Sequence, residues 1–152
     1  MYVLALLLGV VAGLRTMSAP AAVSWAAYLG WLDLHGTRLA FLGNAFAPWL
    51  LTALALFELV TDQLPTTPSR KTPMQFAARI ASGALCGAAI GVDAGNWIIG
   101  LVLGVVGAVI GTLAGHEIRR RLASAFHRDR PAAFIEDAVA VAGALVILLV
   151  LR

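Results

Sequence analysis

The sequence predicts an all-α membrane protein, a compact bundle of about five transmembrane segments forming one domain over residues 1–152. Three observations lead there. The chain is 61% hydrophobic and only 12% charged, where an average soluble domain is about 25% charged and 45–50% apolar. At 152 residues, a soluble fold would have too much surface for its volume to hide so much apolar side chain. The apolar residues also come in runs set off by proline, glycine and charge, each near the roughly 20 residues that cross a bilayer. Backbone groups inside lipid must be bonded within their own segment, so every run reads as helix.

Segment one covers residues 2–31 and is too long for one ordinary span. In its middle stands Leu14-Arg15-Thr16-Met17-Ser18-Ala19-Pro20. Pro20 lacks a backbone donor and disfavours helix at Ala19. The segment is therefore either one kinked helix or a re-entrant hairpin of two short helices with Arg15 near its tip. It reads as a retained membrane segment rather than a signal peptide, because no positive region precedes the apolar run and Arg15 follows it. Segment two covers residues 45–64, with Pro48 suited to its first turn. Segment three covers 74–92 and starts after Thr72-Pro73; segments four and five cover 97–118 and 133–151.

Charge asymmetry orients the segments. Arg70 and Lys71 lie in the connection 65–73, and Arg119, Arg120, Arg121, Arg128 and Arg130 lie in 119–131. The opposite connections carry only Arg38, with Asp33 and Asp93. The positive-inside rule places the two basic connections in the cytoplasm. It also explains the basic pI of about 9.8. A nucleic-acid patch would need interleaved aromatics and a soluble domain to carry it, so nucleic acid is not an expected partner; the lipid bilayer is.

Small residues recur at close to four-residue spacing: Gly9 and Gly13; Gly83, Gly87 and Gly91; Gly100, Gly104, Gly107, Gly111 and Gly115. That pattern lets helix backbones approach closely in lipid. It also offers seams for a homodimer, a reasonable expectation for a chain with little capacity to enclose a pathway alone. Cys86, the one cysteine, reads as a small buried hydrophobe.

The chemistry rests on charges inside or at the edges of the segments: Arg15, Glu58, Asp62, Arg79, His116, Glu117, Glu136 and Asp137. A charge at membrane depth costs several kcal/mol unless it finds a partner or water. Glu58 and Asp62 are four apart and share a helix face. Arg79 is in line with Gly83 and Gly87, and Asp137 with Ala140 and Ala144. His116 and Glu117 are adjacent and cannot both face inward.

Two readings follow. In the first, the charges pair with one another, Arg79 with Glu58 or Asp62, and lock the helices. In the second they line a polar site open to the cytoplasm. There Arg15, Arg79, Arg70, Lys71 and the nearby Arg119, Arg120 and Arg121 would grip a small anion or an anionic lipid headgroup, because guanidinium forks match phosphate oxygens. The carboxylates Glu58, Asp62, Glu117, Glu136 and Asp137, with His116, would alternatively coordinate a divalent cation, or intramembrane carboxylates would carry protons. An enzyme finds little support. His116-Glu117 has no second histidine at metalloprotease spacing, Ser18 and Ser24 have no evident base, and no cofactor is signalled.

Gly13-Leu14-Arg15 in the first segment, Glu58 and Asp62 ending the second, and Glu136-Asp137 opening the last together resemble a bacterial membrane family catalogued as domain of unknown function 4126. The resemblance covers nearly the whole chain. It implies a compact inner-membrane protein and carries no established activity or site residue. In that family's pattern a lysine follows the position of Asp62; here it is Gln63, which weakens any role needing a cation there. The function expected is a small transporter or flippase-like protein for an anionic or phosphate-bearing substrate. The alternatives are a structural or accessory membrane protein and a divalent-cation transporter.

Overall fold

The computed structural model describes residues 1–61, 73–126 and 129–152, apart from the side chains at 125, 126, 129 and 130. The described residues form six α-helices and one 3₁₀ turn, with no strand. The α-helices are α1 (Tyr2–Leu14), α2 (Ser18–Tyr28), α3 (Ala47–Thr61), α4 (Pro73–Asp93), α5 (Trp97–Phe126) and α6 (Asp129–Leu151), and the 3₁₀ turn is Ala40–Gly43.

Segment one is two helices and not one kinked helix. The break falls at Arg15, Thr16 and Met17, where Arg15 is extended (φ −141°, ψ 117°). Pro20 does not make it. Pro20 is the third residue of α2, where its missing N–H is one of the donors a helix start leaves unbonded anyway. Tyr2 Oη donates to the Ala94 carbonyl (3.2 Å), and the Asp33 N–H donates to Asp93 Oδ1 (3.3 Å). Both ends of the pair thus meet the 93–96 turn, so α1 leaves that end of the molecule and α2 returns to it. Gly30 (φ 74°) ends α2, its N–H donating to Ala27 and that of Trp31 to Ala26, a left-handed cap of the kind glycine favours.

The other helices start where local chemistry directs. Pro48 and Pro73 lie in the first turns of α3 and α4. Asn96 Oδ1 accepts the N–H groups of Ile98 and Ile99 and so caps α5. Gly95 (φ 91°) turns the chain just before it.

Segment four ends later than the sequence predicts. The helix continues beyond residue 118 to Phe126, so most of the basic connection 119–131 is helical. Glu117 pairs with Arg120 at i,i+3 and with Arg121 at i,i+4 on an exposed face, and such pairs support a helix in water.

Among the described residues, three helices are long and apolar enough to cross a membrane: Pro73–Asp93, Trp97–Ser124 and Pro131–Leu151. The five segments expected are therefore three of full length, while Tyr2–Leu14 and Ala47–Thr61 are shorter apolar helices. The break at Arg15 shortens the first; the sequence beyond Thr61 lies outside the described residues.

Helices α1, α4 and α5 form the centre of the bundle. Gly9 faces Gly104 and Gly13 faces Ala108 and Thr112, so α1 runs parallel to α5. Gly91 faces Gly100 and Gly83 faces Gly104, so α4 runs antiparallel to α5. At Gly104 a Cβ would overlap the Gly83 carbonyl and come within 2.9 Å of the Gly87 Cα. The core around this contact includes Leu8, Val11, Val23, Cys86 and Ile90. Large apolar side chains turn outward along α3, α5 and α6, among them Trp49, Phe57, Val102, Ile110, Leu145 and Leu149.

Candidate functional site

A helix interrupted inside a bundle leaves carbonyls at one end and N–H groups at the other, and each must find a partner. At the α1–α2 break the partners are side chains from three helices. Arg79 on α4 donates through Nη1 to the carbonyls of Gly13 (2.5 Å) and Leu14 (2.7 Å). Thr112 on α5 donates to the Gly13 carbonyl (3.2 Å) as well as to its own helix at Ala108 (2.8 Å). Ser82, one turn beyond Arg79, donates to the Thr16 carbonyl (2.5 Å).

On the α2 side, Glu58 from α3 accepts the N–H of Thr16 on one oxygen and of Met17 on the other, each at 2.8 Å. The charges match the helix ends: a guanidinium at the C-terminus of α1 and a carboxylate at the N-terminus of α2. Arg15 itself reaches α6, where Nη2 forms an ion pair with Asp137 Oδ1. Its side chain is fully buried and that of Asp137 is 13% exposed.

The tip thus brings together Arg15, Glu58, Arg79 and Asp137 from the residues singled out in the sequence. The pairing of Arg79 with Glu58 is not what forms. Glu58 spends both oxygens on the main chain of Thr16 and Met17, because it lies opposite a helix start and not opposite α4. Glu136 is buried on α6, with Oε2 3.8 Å from Arg119 Nη1 on α5.

Glu117 and Arg120 do not join the site. They pair with each other at 2.9 Å, their side chains 38% and 71% exposed. Glu117 is five residues beyond Thr112, which turns it about 140° away from the face that meets α1. Of the three neighbouring arginines read as gripping an anion, Arg119 faces α6, while Arg120 and Arg121 pair with Glu117. Asp62, Arg70 and Lys71 lie outside the described residues.

Among the described residues no three His, Cys, Asp or Glu side chains gather as a metal site. The carboxylates read together as a divalent-cation cluster are directed apart: Glu58 to the main chain of the tip, Asp137 to Arg15, Glu136 toward Arg119 and Glu117 to the exposed arginines.

Sequence reasoning missed Ser82 and Thr112. Each carries a signal in retrospect. Thr112 is the one polar side chain between Asn96 and His116, and Ser82 the one hydroxyl between Arg79 and Asp93. A lone hydroxyl in a glycine-rich helix marks a place where another backbone needs a donor.

Comparisons with curated proteins and with solved structures find no match. The model of the family described as Domain of unknown function (DUF4126) matches residues 2–150, and the chain belongs to that family.

Proposed function

We propose that the protein is a small multi-pass membrane transporter for an anionic or phosphate-bearing substrate, with its exchange site at the hairpin tip. The observation that carries this reading is the Arg15–Asp137 ion pair, a fully buried guanidinium on the broken segment held by a carboxylate from a different helix. A buried ion pair is weak evidence for stability, since apolar side chains of similar volume hold helices at least as well. Interrupted helices at membrane depth are also a recurring construction of substrate sites in secondary transporters.

In this reading a substrate anion takes the place of Asp137 on Arg15. Asp137, released, accepts a proton, so one negative charge enters the site and one is neutralised. Glu58, Arg79, Ser82 and Thr112 are the frame: they hold the tip backbone and take no part in exchange. The arginines at 119–121 support a cytoplasmic tip-side end by the positive-inside rule. From the 93–96 turn, α1 spans 13 residues, about 20 Å of helix against a hydrocarbon core of about 30 Å. The tip then lies in the cytoplasmic leaflet.

A second reading, a structural protein whose charges lock the helices, is favoured by one observation. The polar side chains around the tip are engaged with its main chain. The Asp137→Asn variant separates the two. Native mass spectra of the detergent-purified chain, titrated with inorganic phosphate and glycerol 3-phosphate, are expected to show a stoichiometric adduct. In Asp137→Asn it should strengthen, because the Asp137 carboxylate no longer competes for Arg15, and in Arg15→Gln it should vanish. Loss of stability in Asp137→Asn with no adduct in any form, and recovered stability in the Arg15→Gln/Asp137→Asn double variant, would establish the lock and end the transport reading.

A further inference from the structure

A second feature lies at the opposite end of the molecule from the exposed basic stretch of α5. The chain at residues 37–39 passes over α4 and α5 and leaves a cavity of about 580 Å³, within the roughly 300–1,000 Å³ typical of ligand pockets. Its walls are overwhelmingly apolar, with Ala84, Leu85 and Val92 from α4 and Trp97 and Leu101 from α5. Arg38 stands at its mouth. That side chain is exposed, and among the described residues it has no ion-pair or hydrogen-bond partner.

We infer that this groove holds a single glycerophospholipid, its phosphodiester on Arg38 and one acyl chain laid along α4. Two independent features of the groove match that occupant. The depth is right. From Val92 near the 93–96 turn to Ala84 is eight residues, about 12 Å of helix, close to the half-thickness of a 30 Å hydrocarbon core. The polarity is also right. An unpaired guanidinium and an indole stand at the mouth, where headgroups lie, and the interior below them is aliphatic. Tryptophan is enriched at that level of a bilayer, and arginine is the side chain best shaped for phosphate oxygens. A soluble anion would leave the apolar wall uncovered, and a second copy of this chain would bring no phosphate to Arg38.

The inference rests on the membrane placement of the helices and is independent of transport at Arg15. The test uses the delipidated full chain in detergent, titrated with phosphatidylglycerol and followed by native mass spectrometry. One tight adduct is expected. Arg38→Glu and Ala84→Trp, which act on opposite ends of the groove, should each weaken it at least fivefold. Arg121→Glu, an exposed arginine at the other end of the molecule, should leave it unchanged. As a readout that does not depend on the folding of Ala84→Trp, phosphatidylglycerol with brominated acyl chains should quench emission that disappears in Trp97→Phe. An adduct indifferent to both groove variants, one weakened by Arg38→Glu alone, or one that Arg121→Glu weakens as much would overturn the site. So would a concentration-dependent dimer in its place, which would make the groove a contact between copies.

Discussion

Glu58 meets two main-chain N–H groups with two oxygens, and that arithmetic decides what its replacements do. A glutamine keeps one acceptor oxygen, so Glu58→Gln strands one donor at the start of α2, at a cost of about 1–3 kcal/mol. Glu58→Ala strands both and should cost about twice as much. Thermal unfolding in detergent gives the ranking, and a Gln variant as stable as the parent would show that the carboxylate does not hold the tip. Arg79→Ala removes the donor shared by two carbonyls of α1 and should destabilise by about 3 kcal/mol or more; a fully stable Arg79→Ala protein would contradict the arrangement of the tip. Depth and spacing in the sequence grouped Arg15, Glu58, Arg79 and Asp137 with Asp62, His116, Glu117 and Glu136, and did not say which of the eight meet at the tip. The identity of each partner was not legible either. Helical periodicity reports which residues share a face of their own helix, and it is silent on which atoms of another helix lie opposite. Glu58 and Asp62 were the alternative partners for Arg79; Glu58 faces the backbone of Thr16 and Met17 instead, and Asp62 lies outside the described residues.

At the scale of elements, the division of the first apolar segment carries the most consequence. The local sequence marks a break, but proline drew attention to the wrong residue. Pro20 is compatible with the first turn of α2, and Pro20→Ala is expected to change stability by no more than about 1 kcal/mol, through the unfolded chain. A proline in mid-helix would instead repress stability by about 3 kcal/mol, and its removal would stabilise. The sign of the change in unfolding temperature therefore tests where the break lies. The contact of α5 with α1 and α4 at Gly104 gives a second prediction at this scale. Gly104→Val would place side-chain atoms in the Gly83 and Gly87 backbone, so the helices must separate, at a cost of about 1–3 kcal/mol or more. The extension of α5 to Phe126 was hidden because a basic run reads as a loop when only hydropathy is followed; the Glu117–Arg121 spacing held the information.

Across the whole molecule, apolar side chains dominate the outward faces of α3, α5 and α6, a surface far beyond the isolated patches that soluble monomers expose. Composition alone made this legible, because it follows from totals and not from any pairing. The ends of the molecule differ in charge, and sidedness is testable. Cys86 is buried, so cysteines introduced at exposed positions report without replacing it. His35→Cys should react with a membrane-impermeant maleimide on intact, right-side-out vesicles, and Arg121→Cys only after permeabilisation. The reverse pattern would invert the molecule and place the hairpin tip in the outer leaflet.

The hairpin tip also sets a timetable for biogenesis. Residues 13–17 are made before the groups that complete them, which follow 41 residues later at Glu58, 66 at Arg79, 99 at Thr112 and 122 at Asp137. Until α6 is made, Arg15 lacks its Asp137 counter-charge, and a nascent chain in the membrane carries an unfinished seam. The hairpin tip is made well ahead of its partners, and it is complete only when α6 has joined the bundle.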